Sequence, residues 1–235
     1  MSLPEPGFVL VARTDHFVVI NKAPGIAMHR DTADQGLAML VSAALGQPVW
    51  PVHRLDKMTS GLLVFALSAG AAAELSAAFA AQQVSKFYLA LSDHKPRKKQ
   101  GRIEGGMERS RRSRWKLTRR RDNLARTEFY STALKPGLRI FLCRPYTGKT
   151  HQIRVALKSI GAPIVGDPLY HEVVEPVPDR GYLHAWQLVF VFAGETHRFR
   201  ADPDTGELFR LPELRTLLAG DWSDPFSLRW HGVSN

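Results

Sequence analysis

Short runs of β-forming residues, separated by turn residues, dominate this chain and limit the folds open to it. The most apolar run, residues 61–67 (GLLVFAL), has the length and composition of a buried strand. Residues 127–134 and 138–143 flank Lys135-Pro136-Gly137, a pattern that predicts two antiparallel strands joined by a turn. Further strands are predicted at residues 8–11, 17–21, 86–91, 183–191 and 197–200. Strands therefore outnumber helices in the predicted fold.

Four segments have the apolar spacing or the capping residues of helices. They are residues 34–45, 69–82, 150–160 and 212–218. Ser68 can cap the second helix, and Gly46 and Gly161 stand where the first and third end. We expect an α+β fold, with one domain at residues 8–220 on a mixed, largely antiparallel sheet with flanking helices. A basic insertion at about 95–123 and tails at 1–7 and 221–235 complete the predicted organisation.

Positive charge is concentrated in one part of the chain. The 235 residues have a formal net charge of +10, and residues 95–126 alone contain 14 Lys and Arg against three acidic residues. Such a segment attracts polyanions, of which nucleic acid is the commonest in the cytoplasm. Two alternatives stay open, a solvated loop without a partner and contact with an anionic membrane surface. Trp115 among the arginines favours contact with unstacked nucleic-acid bases, and the candidate nucleic-acid contacts are Arg111, Arg112 and Arg114.

Composition and motifs exclude several other classes of function. A single cysteine, Cys143, excludes an internal disulfide and any metal site built on several thiolates. The first residues lack the basic and apolar regions of a signal peptide, and no apolar run approaches the roughly 20 residues of a membrane span, so we expect a cytoplasmic protein. The motifs of dinucleotide, P-loop, metalloprotease and esterase sites are absent. The nine histidines are scattered without an evident His/Asp ligand set, so we expect no metal. We also expect no cofactor and a monomer.

Polar residues crowd the start of the predicted buried strand. Residues 51–66 (PVHRLDKMTSGLLVFA) place His53, Arg54 and Asp56 just before it. A carboxylate at the edge of a core is either paired or reactive, and a structural Arg54–Asp56 salt bridge is the simpler interpretation of this stretch alone. A second polar stretch, residues 147–170, contains THQIR at the start of a predicted helix and closes with GDPLY.

Together these two stretches resemble the RluA-type family of RNA pseudouridine synthases. HRLDKMTSGLLVFA is similar to the family's HRLDxxTSGLL motif, in which the Asp is catalytic. TGKTHQIRVAL and GDPLY are similar to its TGRTHQIR and GDxxY motifs. Shorter similar stretches follow the family's order and extend the resemblance over roughly residues 8 to 200: NKAPG at 21–25, SKFYLAL at 85–91, ARTEF at 125–129 and LHA at 183–185.

The resemblance implies isomerisation of a specific uridine to pseudouridine in tRNA or rRNA. Asp56 would be the catalytic carboxylate, acting either as a nucleophile toward the sugar or as a base. Arg154 is the candidate guanidinium that keeps Asp56 ionised, Tyr88 would stack on the target base, and Arg54 would fill the space that the flipped nucleotide leaves. The remaining candidates hold the loop or contact phosphate: His53, Thr59, Lys22 and Lys149.

Two other functions fit the same residues. A non-catalytic RNA-binding or ribosome-assembly factor would use the basic segment and leave Asp56 silent. A glycosylase with a carboxylate nucleophile would instead release free uracil. The products formed from RNA and the effect of Asp56→Asn distinguish the three hypotheses.

Overall fold

The structure is a computed structural model that describes residues 7–28, 36–172 and 175–230. It divides into two compact units, each with its own part of the β-structure. The first unit comprises Met1–Lys86 and His184–Pro203, and the second comprises Phe87–Leu183 and Asp204–Asn235. The elements in chain order are β1 (Phe8–Arg13), β2 (Phe17–Lys22), α1 (Leu37–Leu45), β3 (Trp50–Pro51), β4 (Ser60–Ala66), α2 (Ala69–Ala80), β5 (Ser85–Ser92), β6 (Gln100–Arg109), β7 (Trp115–Thr118), β8 (Leu124–Lys135), β9 (Leu138–Pro145), α3 (Gln152–Ser159), β10 (Leu183–Phe192), β11 (Glu195–Arg200) and α4 (Pro212–Ala219).

The first unit is built around β4, whose seven residues are all buried. β2 pairs antiparallel with β4 and with β1, and the short β3 also pairs antiparallel with β4. β10 runs parallel to β4 and antiparallel to β11. Apolar side chains of these strands pack with α2 in one core, in which Phe17, Val64, Leu75 and Phe190 are almost fully buried. A continuous apolar run becomes a strand here because both of its faces are covered.

Gly61 makes the parallel pairing of β4 with β10 possible. The residue has φ +111°, and a Cβ atom at this position would overlap the backbone of Ala185, its neighbour on β10. Beside it, the Ser60 hydroxyl lies 2.7 Å from Nδ1 of His184, and His184 Nε2 donates to the carbonyl of Ala201 at 2.7 Å. Since Nε2 carries the proton, Nδ1 accepts from Ser60. The Ser-Gly pair at the start of β4 is thus required by contact with β10.

The second unit is an antiparallel arrangement in the order β5, β9, β8, β6, β7. Representative register pairs are Tyr88 with Cys143, Phe129 with Cys143, and Ile103 with Thr127. α3 and α4 belong to this unit. The side chains of Met107, Ala125, Val155 and Tyr170 form a small buried cluster that joins β6 and β8 to α3.

The structure confirms the predicted α+β class with a mixed, largely antiparallel sheet. The helix ends follow the predicted caps: the Ser68 hydroxyl accepts from the Ala71 N–H at 3.2 Å, and Gly46 has the left-handed conformation with φ 67°. Residues 34–35 of the first predicted helix lie outside the described residues. Among the described residues the longest helix, α2, has 12 residues, which is too short to span a bilayer.

The basic segment differs from the loop that its composition suggests, because it contains β6 and β7. Alternation buries Ile103 and Met107 on one face of β6, and β8 supplies most of the ladder partners of that strand. Gly106 allows the segment around Arg120 to approach β6 closely, since a Cβ atom at Gly106 would lie 2.6 Å from the carbonyl oxygen of Arg120. Glycines and charges lower the β propensity of the segment, and its strand state depends on partners that local sequence does not reveal.

The single domain at 8–220 stays a prediction. Of the predicted tails, residues 1–6 and 231–235 lie outside the described residues. Within 221–230, Trp222 and Trp230 are buried, and the Trp230 indole N–H donates to the carbonyl of Pro225 at 2.7 Å.

Candidate functional site

Asp56 lies in the loop that leads into β4, in the first unit. Its carbonyl accepts from the Thr59 N–H at 3.0 Å, which closes a four-residue turn one residue before the strand. Thr59 is buried, Asp56 is half-buried and Arg54 is exposed. The buried strand therefore fixes the C-terminal end of this turn, while the Asp56 carboxylate stands at the edge of the core.

Lys22 holds the same loop from the side of β2, and its prediction as a phosphate contact is wrong. The side chain is fully buried. Its ammonium donates to the carbonyls of Ala23, Ile26 and Lys57 at 2.8, 3.0 and 3.3 Å. An ammonium has three N–H donors, and three carbonyls satisfy them. The Gly25 N–H also donates to the Lys57 carbonyl, at 2.7 Å. The segment NKAPG thus acts as a brace for the residue that follows Asp56.

His53 braces the other end of the loop as a neutral imidazole. Its Nε2 accepts from the Val64 N–H at 3.0 Å, and its ring stacks on Phe79 with centroids 4.3 Å apart. Burial, with a smaller contribution from the Lys86 charge, lowers the pKa of His53 to about 3. A neutral Nε2 can accept the backbone hydrogen bond, whereas the protonated ring would have only donors there.

Arg154 lies on α3 in the second unit and is buried in an ion pair. Its Nε and Nη2 donate to the two carboxylate oxygens of Asp167 at 2.7 and 2.8 Å. Asp167 also accepts from the backbone N–H groups of Leu169 and Tyr170 at 2.9 and 3.2 Å. These four hydrogen bonds compensate the desolvation of the carboxylate. The guanidinium consequently has a fixed orientation.

The GDPLY stretch supplies this arrangement. Gly166 has φ +72°, and a Cβ atom there would overlap the carbonyl of Arg180, so only glycine fits the turn that aims Asp167 at Arg154. The Tyr170 ring lies beneath the guanidinium of Arg154 at 5.2 Å, and its hydroxyl accepts from the Trp115 N–H at 2.7 Å. The hydroxyl is 3.0 Å from Nδ1 of His151, to which it can donate.

The start of α3 is organised by Gln152. Its side-chain oxygen accepts from the Thr147 hydroxyl at 2.6 Å and from the Lys149 N–H at 3.0 Å. Its side-chain nitrogen donates to the Arg126 carbonyl and to the Thr127 hydroxyl, each at 2.9 Å. Lys149 is half-buried in the turn before the helix. The TGKTHQIR stretch therefore attaches α3 to β8 and sets the direction from which Arg154 projects.

The remaining predicted residues lie on β5 and at the end of the β6–β7 hairpin. Tyr88 is half-buried on β5. Five exposed residues, 110–114, connect β6 to β7, and the Ser110 N–H donates to the Arg114 carbonyl at 2.8 Å. Two of the three acidic residues of the basic segment are paired within it, Glu104 with Arg126 at 2.6 Å and Glu108 with Lys116 at 3.8 Å. The turn arginines, in contrast, are exposed to solvent: Arg111, Arg112 and Arg114.

Two groups of predicted site residues emerge, one in each unit. The first unit brings together His53, Arg54, Asp56 and Thr59. The second contains Tyr88, Lys149, Arg154 and the turn arginines. Sequence reasoning assigned no role to Gln152, Asp167 and Tyr170, although each stands inside a quoted motif. Each of the three is a polar side chain within a largely apolar motif, and that pattern was the signal that could have identified it.

The expectation of no close His/Asp set is also wrong. His171 Nε2 lies 3.0 Å from both carboxylate oxygens of Asp93, and His94 Nδ1 lies 2.6 Å from Asp93 Oδ1. Asp93 and His94 are neighbours at the end of β5, whereas His171 follows from far along the chain. The separation in sequence concealed this set.

Comparison with known proteins gives a consistent result. A family model described as RNA pseudouridylate synthase matches residues 16–159. The chain is 48% identical over 206 residues to an uncharacterized RNA pseudouridine synthase of Haemophilus influenzae, which covers 87% of this chain and 92% of that protein. It is 35% identical over 190 residues to the ribosomal large subunit pseudouridine synthase C of Rickettsia bellii, covering 77% of this chain and 62% of that protein. Among solved structures, human RNA Pseudouridylate Synthase Domain Containing 1 matches with a TM-score of 0.73 and 27% identity, covering 88% of this chain and 86% of that one.

Proposed function

Because the chain belongs to the RNA pseudouridylate synthase family, we propose that it isomerises a specific uridine of tRNA or rRNA with Asp56 as its catalytic carboxylate. The observation that carries the assignment is the placement of Asp56. Its half-buried carboxylate stands in a turn closed by Thr59 and braced by Lys22 and His53. A reactive group needs such a fixed position, since small displacements cost much of the rate.

The reaction requires one well-placed carboxylate and no redox change. The glycosidic bond between C1′ and N1 of the uridine breaks, the uracil turns, and a C1′–C5 bond forms while the proton at C5 is lost and N1 gains one. Asp56 serves either as a nucleophile at C1′ or as a base that removes a sugar proton. Both routes need the ionised carboxylate.

Arg154 is our candidate for keeping Asp56 ionised. A nearby guanidinium favours the charged form of a carboxyl group. The pair with Asp167 orients Arg154 through Nε and Nη2, and a guanidinium has five N–H donors with which to serve more than one acceptor. Asp167 is then a positioning residue that acts through Arg154.

Access to C1′ in structured RNA requires the target nucleotide to leave its stack, which costs a few kcal/mol. We assign Tyr88 to stacking on the extruded base and Arg54 to filling the space that the nucleotide leaves. The exposure of Arg54 and the partial exposure of Tyr88 support these roles. Arginine suits the second role because its planar group can stack, which an ammonium does not do.

The exposed arginines of the β6–β7 turn are the proposed contacts to RNA phosphates, with Lys149 as a further contact. Three guanidinium groups on one hairpin turn offer bidentate donors to phosphate oxygens. One relative is named for the large ribosomal subunit, so rRNA is the first RNA to assay, with tRNA as the second. Mapping pseudouridines in a deletion strain against its parent would identify the uridine.

Asp56→Asn tests the proposal directly. We expect the variant to release no tritium from RNA labelled at C5 of uridine and to bind RNA within about twofold of the wild type. The matched control is Asp15→Asn, which changes an exposed carboxylate of the same unit and should leave tritium release unchanged. An active Asp56→Asn enzyme would overturn the assignment, and a silent variant in cells beside an RNA-binding defect in turn-arginine variants would favour the non-catalytic alternative. Free uracil among the products would indicate a glycosylase.

A further inference from the structure

A cluster of three potential metal ligands lies in the second unit, on residues to which the proposed reaction assigns no role. Asp93 and His94 follow β5, and His171 follows the turn that contains Asp167 and Tyr170. One ligand atom from each of the three lies within 4.8 Å of those of the other two. Two imidazoles and one carboxylate thus converge from segments that are far apart in sequence, since Asp93 and His171 are separated by 78 positions.

The spacing of the ligand atoms fits a small divalent ion after slight adjustment. Zinc bonds of about 2.0–2.2 Å in a tetrahedron place ligand atoms about 3.4 Å apart. The pairs that contain Asp93 are at 2.6 and 3.0 Å, and the third pair is within 4.8 Å. Shifts of about 1 Å in side chains reach the tetrahedral spacing.

The three ligands differ in freedom in a way that suits ion capture. The His171 side chain is 2% exposed, and its backbone N–H donates to the carbonyl of Asp167 at 3.1 Å. Asp93 and His94 have side chains 32% and 52% exposed. One ligand is therefore held in place, and two can adjust around an ion that enters from solvent.

The donor set selects the class of ion. Imidazole nitrogens are ligands of zinc and its transition-metal neighbours, whereas Mg²⁺ and Ca²⁺ prefer sites made of oxygen. We propose that Asp93, His94 and His171 form a surface site for one divalent transition-metal ion, best matched to Zn²⁺, with water completing the tetrahedron.

The site would act as a clip between two supporting segments. β5 carries Tyr88, and His171 directly follows the stretch that fixes Arg154 through Asp167. The Val165 N–H already donates to the Leu91 carbonyl at 2.9 Å, so the segments are in contact without an ion. A bound ion would stabilise the folded unit by mass action. The proposed isomerisation needs no such ion, and the two proposals therefore stand or fall separately.

Zinc titration of the full, tag-free chain tests the site. With Zn²⁺ as the only added ligand, calorimetry should give one equivalent bound by the wild type, and Co²⁺ should give the visible absorption of a tetrahedral complex. Asp93→Asn and His171→Ala should each weaken binding by roughly tenfold or more. The control is His16→Ala, an exposed histidine of the first unit, which should still bind one equivalent.

A second measurement separates a binding defect from a folding defect. Zn²⁺ should raise the melting temperature of the wild type and of His16→Ala but not of Asp93→Asn, whose circular dichroism without metal should match the wild type. A wild type that binds no stoichiometric Zn²⁺, or binding that survives both Asp93→Asn and His171→Ala, would overturn the proposal. The cluster would then be a hydrogen-bonded His–Asp–His set.

Discussion

Lys22, far from Asp56 in sequence, and Gly61, just after it, hold the segments next to Asp56. The buried Lys22 ammonium binds the carbonyl of Lys57, the residue after Asp56. Gly61 lets β4, on which the Asp56 turn ends, lie parallel to β10 at Ala185. At the residue scale, these motif residues therefore serve mainly to fix the backbone around the Asp56 carboxylate. Lys22 does so through a buried, hydrogen-bonded ammonium, and Gly61 through the absence of a Cβ atom.

His53 predicts a pH dependence of stability. Its pKa is about 3 in the folded chain and about 6.5 in an unfolded chain. Between these values the unfolded state binds the proton and the folded state does not, so the contribution of His53 is complete above pH 6.5 and is lost as the pH falls toward 3. The loss is at most about 1.4 kcal/mol per pH unit. Urea unfolding of wild type and His53→Gln at several pH values between 4 and 7 measures it.

His53→Gln keeps an acceptor for the Val64 N–H and removes the titration. We expect the variant to be less stable than the wild type at pH 7, because the stacking on Phe79 is removed, and the difference to shrink toward pH 4. The control is His16→Gln, at an exposed position of the same unit, measured over the same pH range. A wild-type minus His53→Gln difference that is constant with pH would contradict the neutral imidazole.

Sequence reasoning was uneven at this scale. The resemblance drew attention to Asp56 and Arg154 through their motifs, and both roles stay predictions. The prediction of Lys22 as a phosphate contact was wrong because sequence alone suggests an exposed cation. In the structure the ammonium is buried and donates to three carbonyls. Asp167, 13 residues from Arg154, escaped notice because no local period links a helix residue to a turn beyond its end.

Among the elements, the β6–β7 hairpin and α3 are joined through one hydroxyl. Tyr170 accepts from the Trp115 N–H on β7 and contacts His151 at the start of α3. Met107 and Val155 pack beside it in the same buried cluster. The hairpin that presents the exposed arginines is therefore attached to the helix that carries Arg154.

Tyr170→Phe should loosen the hairpin and leave the ring packing intact. Removal of the hydroxyl leaves the partly buried backbone N–H of Trp115 without this acceptor, a loss of up to roughly 1–3 kcal/mol. We expect faster hydrogen exchange at the amides of β7, Trp115–Thr118, and weaker RNA binding by a few fold. Tyr130→Phe is the matched control, because its hydroxyl donates to the Arg229 carbonyl and its ladder partner Gln100 begins β6, outside the part of β6 that pairs with β7. Equal exchange in β7 for both variants would show that Tyr170 does not anchor the hairpin.

Outside the basic segment, the helices and the strands other than the two-residue β3 were predicted, since capping residues and apolar runs act locally. Ser68 and Gly46 fix the ends of α2 and α1 through their own backbone and side-chain contacts. β6 and β7 escaped prediction because β6 is stabilised by its ladder with β8 and β7 by its ladder with β6, and ladder partners are chosen by the tertiary fold. Local sequence thus predicts elements whose stability is local. It does not predict a strand whose stability depends on a partner strand elsewhere in the chain.

The charge of the whole molecule is divided unevenly. Residues 95–126 have 14 basic and three acidic residues, so the rest of the chain is close to neutral beside a total of +10. A polyanion approaching this protein is therefore attracted mainly by one segment. The ion pairs of Glu104 and Glu108 with basic residues of that segment neutralise only a small part of its positive charge. Electrostatic steering of this kind is screened by salt.

The salt dependence of RNA binding should consequently depend on where charge is removed. Removing one phosphate-binding cation lowers the slope of log K against log salt by about 0.7–0.9. Replacing Arg111, Arg112 and Arg114 by Gln should therefore lower the slope by about 2 to 3. Replacing Arg13, Arg198 and Arg215, exposed arginines outside the segment, removes the same net charge and should leave the slope nearly unchanged. Counterion release counts only the phosphates that the protein touches. Equal slopes for the two triple variants would therefore mean that the arginines of the hairpin turn make no more phosphate contacts than arginines elsewhere on the protein.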